Sequence, residues 1–578
     1  MKRMKKWFAM LLALAMVLGM SVTAFADPTQ GPAPAPATIS GVYVEDEMPT
    51  VTAYQIIKYN DAGYYEEVLK DTITKISGTD GNKATLKPSS SDVQNLYYNR
   101  LNDLKDLNNE KVFTAQESNG EFTGTYTCGD LGLGTWLVVV SGSSKYLYNP
   151  AIISVSKTPE GLDYGRLNLE TDTWNDETGT YLKRDEPTIT KTAESADGKD
   201  LNVVGTQYGD ILKYTITADI PAYTTERVNI AYSITDTIKG LDYVVDEKHP
   251  VSVKVGMDAE SATEVDEAIR LKFENAMKSP KTVSEQTDKE PAVKKAVVND
   301  LGDEFLVGHT NQKLIIEYYA QVTSTVLINV DRLNNKAELD YSNNDGSTNH
   351  KETETKHYTF GLDTTVTGWS ESDSTHPTGE FVKINDKGDV EYTETPGEVI
   401  TTQTDTKFLK GAEFQLHIGS ADGALFTDKS GKNTFVTDEN GRLQIVGLDD
   451  AVDYYLIETK APEGYTLNTT AIKVRIEATY EEDPVTKLQD VLTSYKVLIG
   501  EGEGQQTVSH YKYDTVTGET EFINTPDTPS NPFGFKNTTL ANLPSTGGIG
   551  TTIFTIAGCL IMIAAAGLFF VSRRKTAK

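Results

Sequence analysis

Short runs of β-branched and aromatic residues with period-two alternation recur through most of this 578-residue chain, at 54–57, 136–140, 212–218, 313–319, 414–418, 454–458 and 471–476. Gly, Asn and Asp turns separate them. Successive residues of a strand face opposite sides, so such runs are half-buried strands, and their spacing is that of β-sandwiches. Helical periodicity appears only around 91–107 and 262–277. About 520 residues remain once the chain ends are set aside, too many for one core. The pattern predicts an all-β chain: three tandem immunoglobulin-like β-sandwich domains in an elongated array, with a signal peptide and a C-terminal transmembrane helix. The expected domains cover 39–170, 187–355 and 356–540. The polar, turn-rich segment 171–186 is expected to be a linker, and the charged stretch 351–358 marks the second boundary.

Composition narrows the function. A formal charge of −30 argues against nucleic acid or an anionic membrane surface as partner, because both repel an acidic body. The two cysteines are Cys128 and Cys559, and the second lies inside an apolar run, so no intramolecular disulfide is expected. Seven scattered His, with no Gly-x-Ser-x-Gly or phosphate loop, predict no metal site, no cofactor and no enzyme active site. The acidic turns at Asp438-Glu439-Asn440-Gly441 and Asp386-Lys387-Gly388-Asp389 lack the twelve-residue ligand spacing of a calcium loop. The 29 tyrosines fit sandwich surfaces and leave a host ligand unspecified.

The two ends carry export and anchoring signals. Residues 1–26 run from a basic start through an apolar stretch to Ala24-Phe25-Ala26, the pattern of a secretory signal peptide. Residues 27–38 form a Pro-rich linker that favours extended backbone. At the other end Leu543-Pro544-Ser545-Thr546-Gly547 precedes an uncharged apolar run over 549–571 and a basic tail over 572–578. Roughly 20 apolar residues suffice to cross a bilayer, and basic residues just beyond them stay cytoplasmic. The pentapeptide resembles the LPxTG sorting signal of Gram-positive surface proteins. That resemblance implies cleavage by sortase between Thr546 and Gly547, with Leu543 and Pro544 completing the recognised motif, and transfer of the threonyl carbonyl to an amine.

Further segments resemble one family of such proteins. Pro187-Thr188-Ile189-Thr190-Lys191, Ile234-Thr235-Asp236-Thr237 and Asn335-Lys336-Ala337-Glu338-Leu339-Asp340-Tyr341-Ser342-Asn343 are similar to the isopeptide-forming middle domain of major, or backbone, pilins. Leu409-Lys410-Gly411-Ala412-Glu413-Phe414-Gln415-Leu416 and Tyr455-Leu456-Ile457-Glu458-Thr459-Lys460-Ala461-Pro462-Glu463-Gly464-Tyr465 resemble the collagen-adhesin B-type domain that ends them, the latter its E-box. In that family a lysine amine attacks an asparagine carboxamide on a neighbouring strand and ammonia leaves. The chemistry needs a neutral amine, which burial favours, a protonated carboxyl polarising the amide, and fixed proximity.

The resemblance assigns Lys191 as nucleophile, Asp236 as proton donor and Asn335 as acceptor, with Asn343 the alternative because strand alternation points it the same way. In the last domain the position after Phe360-Gly361-Leu362 is Thr364-Thr365-Val366-Thr367 where relatives carry a lysine, so the resemblance passes to Lys383, with Glu458 as the acid and either Asn524 or Asn537 as acceptor. The family's pilin motif is matched loosely by Trp174 and Tyr181-Leu182-Lys183-Arg184, making Lys183 the amine that receives the next subunit's Thr546. The resemblance thus implies a structural subunit of a covalent cell-surface pilus that supports adhesion. Its implied partners are pilus-specific and housekeeping sortases, other copies of itself, minor pilins, peptidoglycan and an unidentified host ligand. A monomeric wall-anchored adhesin is the alternative, sharing every feature except the linker lysine.

Overall fold

The computed structural model describes residues 36–539, apart from short stretches of which 367–377 is the longest, together with 557–569. The signal segment 1–26, most of the Pro-rich linker 27–38, Lys183, the pentapeptide 543–547 and the tail 572–578 lie outside the described residues.

The first domain is built around Gly134–Ser141, which lies inside a sheet ordered Thr173–Asn175, Gly161–Asn168, Ala151–Thr158, Gly134–Ser141, Thr50–Tyr59, Tyr65–Glu67. Its Thr135-Trp136-Leu137-Val138-Val139-Val140 run is apolar without interruption after the threonine because both faces are covered. Leu137 and Val139 meet Val93, Leu96, Leu101 and Leu104 of the helices Ser90–Asn99 and Leu101–Lys105. Trp136, Val138 and Val140 meet Ala37, Ile39 and Tyr126 of a second, smaller sheet. The first helix starts at a reciprocal cap, with the Ser89 hydroxyl accepting from the Asp92 N–H and the Asp92 carboxylate accepting from the Ser89 N–H.

Segment 171–186 differs from the expected linker. Thr173–Asn175 pairs with Gly161–Asn168, Gly179–Tyr181 runs parallel to Ala37–Ser40, and Arg184–Asp185 pairs with Leu147–Tyr148. Each of these strands is an edge of its sheet, and edge strands carry polar residues because one side faces water. The polarity that reads as a linker belongs to sheet edges.

The middle domain is a sandwich. One sheet runs Ile189–Ser195, Ile211–Asp219, Lys313–Val322, Ser252–Gly256, Thr263–Glu264, and the facing one runs Lys281–Ser284, Val293–Val298, Tyr232–Lys239, Val330–Ser342, Thr348–Leu362. Alternate residues such as Tyr214, Ile216 and Ala218 from the first and Ile234, Leu339 and Tyr341 from the second fill the space between them. The helix Glu267–Lys278, capped by Asp266, buries Ile269, Phe273 and Met277 against the same core.

The last domain is a sheet ordered Ala424–Leu425, Glu413–Ile418, Asp453–Lys460, Ile472–Glu481, Val491–Ile499, Gln506–Tyr513, Thr520–Phe522, covered by the parallel pair Phe381–Asn385 and Phe533–Asn537. No linker separates it from the middle domain. Thr348–Leu362 is one strand that pairs along Val330–Ser342 and then, at its far end, with Ile445–Leu448. In its charged first half buried and exposed positions mix, whereas everything from Lys356 onward is buried. The charged run expected to be a boundary is therefore part of a continuous strand, partly exposed over 351–354 and buried from Thr355 onward. Tyr208 N–H also donates to the Gly447 carbonyl at 2.8 Å, and a Cβ at Gly447, whose φ is +79°, would stand 2.6 Å from the Tyr208 Cβ.

The transmembrane helix expected over 549–571 is not supported by the described residues. What is described is an exposed helix over 557–569, and none of the described helices is long and apolar enough to cross a membrane.

Candidate functional site

Two buried polar constellations stand out because each interrupts an otherwise apolar stripe. In the middle domain Lys191 lies on the edge strand Ile189–Ser195, with Ile189 and Ala193 on its buried side. Asp236 sits on Tyr232–Lys239 and Asn335 on Val330–Ser342, two paired strands of the opposite sheet. All three side chains are sealed from water, with exposures of 2 %, 2 % and 0 %. Thus the lysine meets an aspartate and an asparagine of the facing sheet, whose strand Val330–Ser342 neighbours Ile189–Ser195 in space without pairing with it.

Their meeting point is Tyr318. Its hydroxyl accepts from Lys191 Nζ at 2.7 Å and from Asn335 Nδ2 at 2.8 Å, and donates to Asp236 Oδ2 at 2.8 Å. Lys191 Nζ also contacts Asp236 Oδ1 directly, and the Tyr243 hydroxyl donates to Asp236 Oδ2 at 2.9 Å. Burial pushes the Lys191 ammonium down from its ordinary value, against the opposing pull of the Asp236 charge. Burial, reinforced by Asp236, drives the Tyr318 hydroxyl well up, so it keeps its proton. The expected hydrogen bond from Asp236 to the Asn335 carbonyl is absent. Asn335 Oδ1 has no hydrogen-bond partner among the described residues, and the Asp236 oxygens are engaged by the lysine and the tyrosines. The alternative acceptor Asn343 belongs elsewhere, bonded to Asn349 Oδ1 and the Ser347 hydroxyl, both at 2.9 Å.

Aromatic rings pack around this group. Tyr214 stacks on Tyr318 with centroids 5.5 Å apart, and its hydroxyl lies 3.0 Å from His357 Nε2. His357 is fully buried, and desolvation lowers its pKa to about 4, leaving it neutral.

In the last domain Lys383 on Phe381–Asn385 lies beside Asn537 on the parallel strand Phe533–Asn537. Lys383 Nζ contacts Asn537 Oδ1 and stands 3.3 Å from Glu458 Oε1. Asn537 Nδ2 donates to both Glu458 oxygens at 3.0 Å. The Asn468 N–H adds a bond to Glu458 Oε2 at 2.7 Å, and the Phe535 ring lies 4.2 Å from the lysine nitrogen. Desolvation lowers the Lys383 pKa to about 8. Of the two candidate acceptors, Asn524 is exposed and accepts from the Ser530 N–H, away from this group.

Sequence reasoning missed Tyr318, Tyr214, Tyr243 and His357. The signal for Tyr318 and Tyr214 was present, since both are inward positions of alternating strands. His357 was hidden in the charged stretch taken for a boundary. A buried acid pair was also missed: Asp363 accepts from the N–H groups of Phe381 and Leu443, and Glu380 from the Asp363 N–H and the Ser509 hydroxyl. Among the described residues Glu338, His350 and Glu352 have a spacing that could hold a cation, but they are a surface group already facing Lys336 and Lys295.

Comparisons with known proteins agree with this architecture. The prealbumin-like fold domain of SpaA matches residues 397–489, and the LPXTG cell wall anchor motif matches 536–578. The chain is 25% identical over 490 residues to the trypsin-resistant surface T6 protein of Streptococcus pyogenes serotype M6, covering 78% of this chain and 81% of the relative. The solved structure of the T6 backbone pilin, described as a modular three-domain structure with variable loops and extensions, shares the fold at a TM-score of 0.50 and 18% identity, over 88% of this chain and 98% of that one. The full-length major pilin SpaD of Corynebacterium diphtheriae aligns at a TM-score of 0.38 and 17% identity, over 76% and 91% of the two chains. The LPXTG anchor motif marks the chain as exported and fixed at the cell wall, and the prealbumin-like domain with the likeness to a streptococcal surface protein over most of its length makes it similar to the sortase-assembled major pilins of Gram-positive bacteria.

Proposed function

We propose that this pilus subunit closes two internal amide cross-links by itself, Lys191 to Asn335 and Lys383 to Asn537, before or during its assembly by sortase. The observation that carries the reading is the Lys383, Glu458 and Asn537 group: an amine with its pKa lowered to about 8, a carboxamide in contact with it and a carboxylate touching both, all sealed from water. Burial favours the neutral nucleophile, and fixed contact replaces a bimolecular encounter, which is what amide exchange needs and bulk water denies. Asp236 and Glu458 serve as the proton-handling acids. Each bond forms once and does not turn over, so the protein is a substrate of sortase and not an enzyme.

Sortase cuts between Thr546 and Gly547 and joins Thr546 of one copy to Lys183 of the next, the last copy passing to peptidoglycan. Minor pilins decorate the fibre, and its exposed surface meets a host ligand. Internal bonds then hold strands under tension without being reducible, which suits an exported chain whose two cysteines, one buried and one exposed, are both free.

The test is intact mass of the purified chain after denaturation. Two bonds remove two ammonia molecules, and Lys191 and Lys383 become inert to acylating reagents. A full unmodified mass with both lysines reactive overturns the cross-links. For assembly, a peptide joining Thr546 to Lys183 is expected in digests of wall extracts, and abundant wall-linked monomer without it would favour a solitary adhesin.

A further inference from the structure

The two constellations solve the same proton problem with different parts. When a neutral amine displaces the nitrogen of a carboxamide, the new N–C bond forms, the old C–N bond breaks, one proton leaves the nucleophile and one must reach the departing nitrogen. In the last domain one carboxylate spans both ends, with Glu458 Oε1 3.3 Å from Lys383 Nζ and 3.0 Å from Asn537 Nδ2. In the middle domain the acid is an aspartate, one methylene shorter, and its recorded contacts are with Lys191 and two tyrosine hydroxyls, with none to Asn335. The gap is filled by one atom: Tyr318 Oη, 2.7 Å from Lys191 Nζ, 2.8 Å from Asn335 Nδ2 and 2.8 Å from Asp236 Oδ2.

We infer that Tyr318 is a catalytic residue of the middle domain, a hydroxyl relay that carries the proton from Lys191 to the departing nitrogen of Asn335 with Asp236 as its store. This rests on the proposed Lys191–Asn335 bond. As Lys191 Nζ bonds to Asn335 Cγ, the Tyr318 oxygen accepts a proton from Nζ while its own passes to Asp236 Oδ2. The proton then returns through the same hydroxyl to Nδ2, the Cγ–Nδ2 bond breaks and ammonia leaves. Tyr318 and Asp236 end as they began. The Tyr214 hydroxyl also hydrogen-bonds Asn335, but its other partner is His357 and not Lys191 or Asp236, so it offers the proton no path from the amine, and its stacked ring lies against Tyr318. Tyr243 touches Asp236 and has no recorded hydrogen bond to the amine or the carboxamide.

The experiment compares the full chain with its Tyr318→Phe and Tyr243→Phe variants, following mass after refolding and locating each bond by digestion. Tyr318→Phe is expected to slow the Lys191–Asn335 bond by about 100-fold or more, the usual weight of a positioned proton-transfer group. The Lys383–Asn537 bond in the same molecule should form at its normal rate, and Tyr243→Phe should form both. Adding Asp236→Glu to Tyr318→Phe supplies the missing methylene and is expected to restore part of the lost rate. Bond formation in Tyr318→Phe at the wild-type rate overturns the relay, as does an equal loss in Tyr318→Phe and Tyr243→Phe, which would reduce both hydroxyls to supports of the fold. A wild-type chain lacking only the Lys191–Asn335 deficit refutes the bond itself, a result distinct from a bond that forms without Tyr318.

Discussion

The middle and last domains bring the same three residue types together by unlike routes. In the middle domain the lysine stands on an edge strand and reaches across the sandwich to an aspartate and an asparagine of the facing sheet, with tyrosine hydroxyls between them. In the last domain lysine and asparagine are on adjacent parallel strands and glutamate touches both without help. The shorter acid sits in a polar surrounding and the longer one in an apolar surrounding. Three tyrosines and a histidine surround the aspartate, and phenylalanines lie beside the lysine that meets the glutamate.

The most forceful way to break this comparison is to remove each nucleophile. Both cross-links would close loops of about 150 residues, and the chain-entropy estimate for such a closure is near 5 kcal/mol. Lys191→Met and Lys383→Met should each lose one ammonia deficit and lower thermal stability to a similar extent. A large stability loss in only one variant would mean that only one domain is cross-linked.

Replacing the acids sharpens it. Asp236→Asn and Glu458→Gln should each slow their own bond by about 100-fold while leaving the other untouched, read as the time course of mass loss after refolding. The Glu458 variant should suffer more, because nothing else there touches both nitrogens.

A pH profile probes the amines at smaller amplitude. Lys383, with its pKa lowered to about 8, is mostly protonated below that pH and mostly neutral above it. The rate of its bond should therefore rise about tenfold per pH unit up to that point and then level off, following the neutral fraction. A flat profile from pH 6 to 9 would show that the amine is not the titrating nucleophile.

The smallest effects are expected at the residues that structure separates from the two groups. Asn343→Ala and Asn524→Ala should leave the mass deficit unchanged. The first loses hydrogen bonds to Asn349 and Ser347 at a cost of about 1 kcal/mol, seen as a modest drop in melting temperature.

Much of this was legible in the chain. Alternation placed strands at 212–218, 313–319 and 454–458 where they occur, and helical periodicity found Glu267–Lys278. The lysines and acids were singled out by the resemblance to backbone pilins, since a lysine in a strand by itself usually faces water. Segments 171–186 and 351–358 misled because polar residues mark loops and also occur in strands, at sheet edges or, like Lys356, buried in an ion pair, and local composition cannot tell these apart. Tyr318 looked like ordinary core for a related reason: its ring is packed like any other, and only its hydroxyl has a role.

Sequence alone determined the β architecture and the anchor motif, since these follow from alternation and local motif, and its likeness to backbone pilins pointed to the side chains proposed to react. Tertiary structure alone decided which asparagine meets which lysine, that Thr348–Leu362 joins two domains as one strand, and that a tyrosine bridges the middle-domain group. Those facts depend on which strands face or flank one another, and pairing between segments more than a hundred residues apart leaves no mark on the local pattern of either.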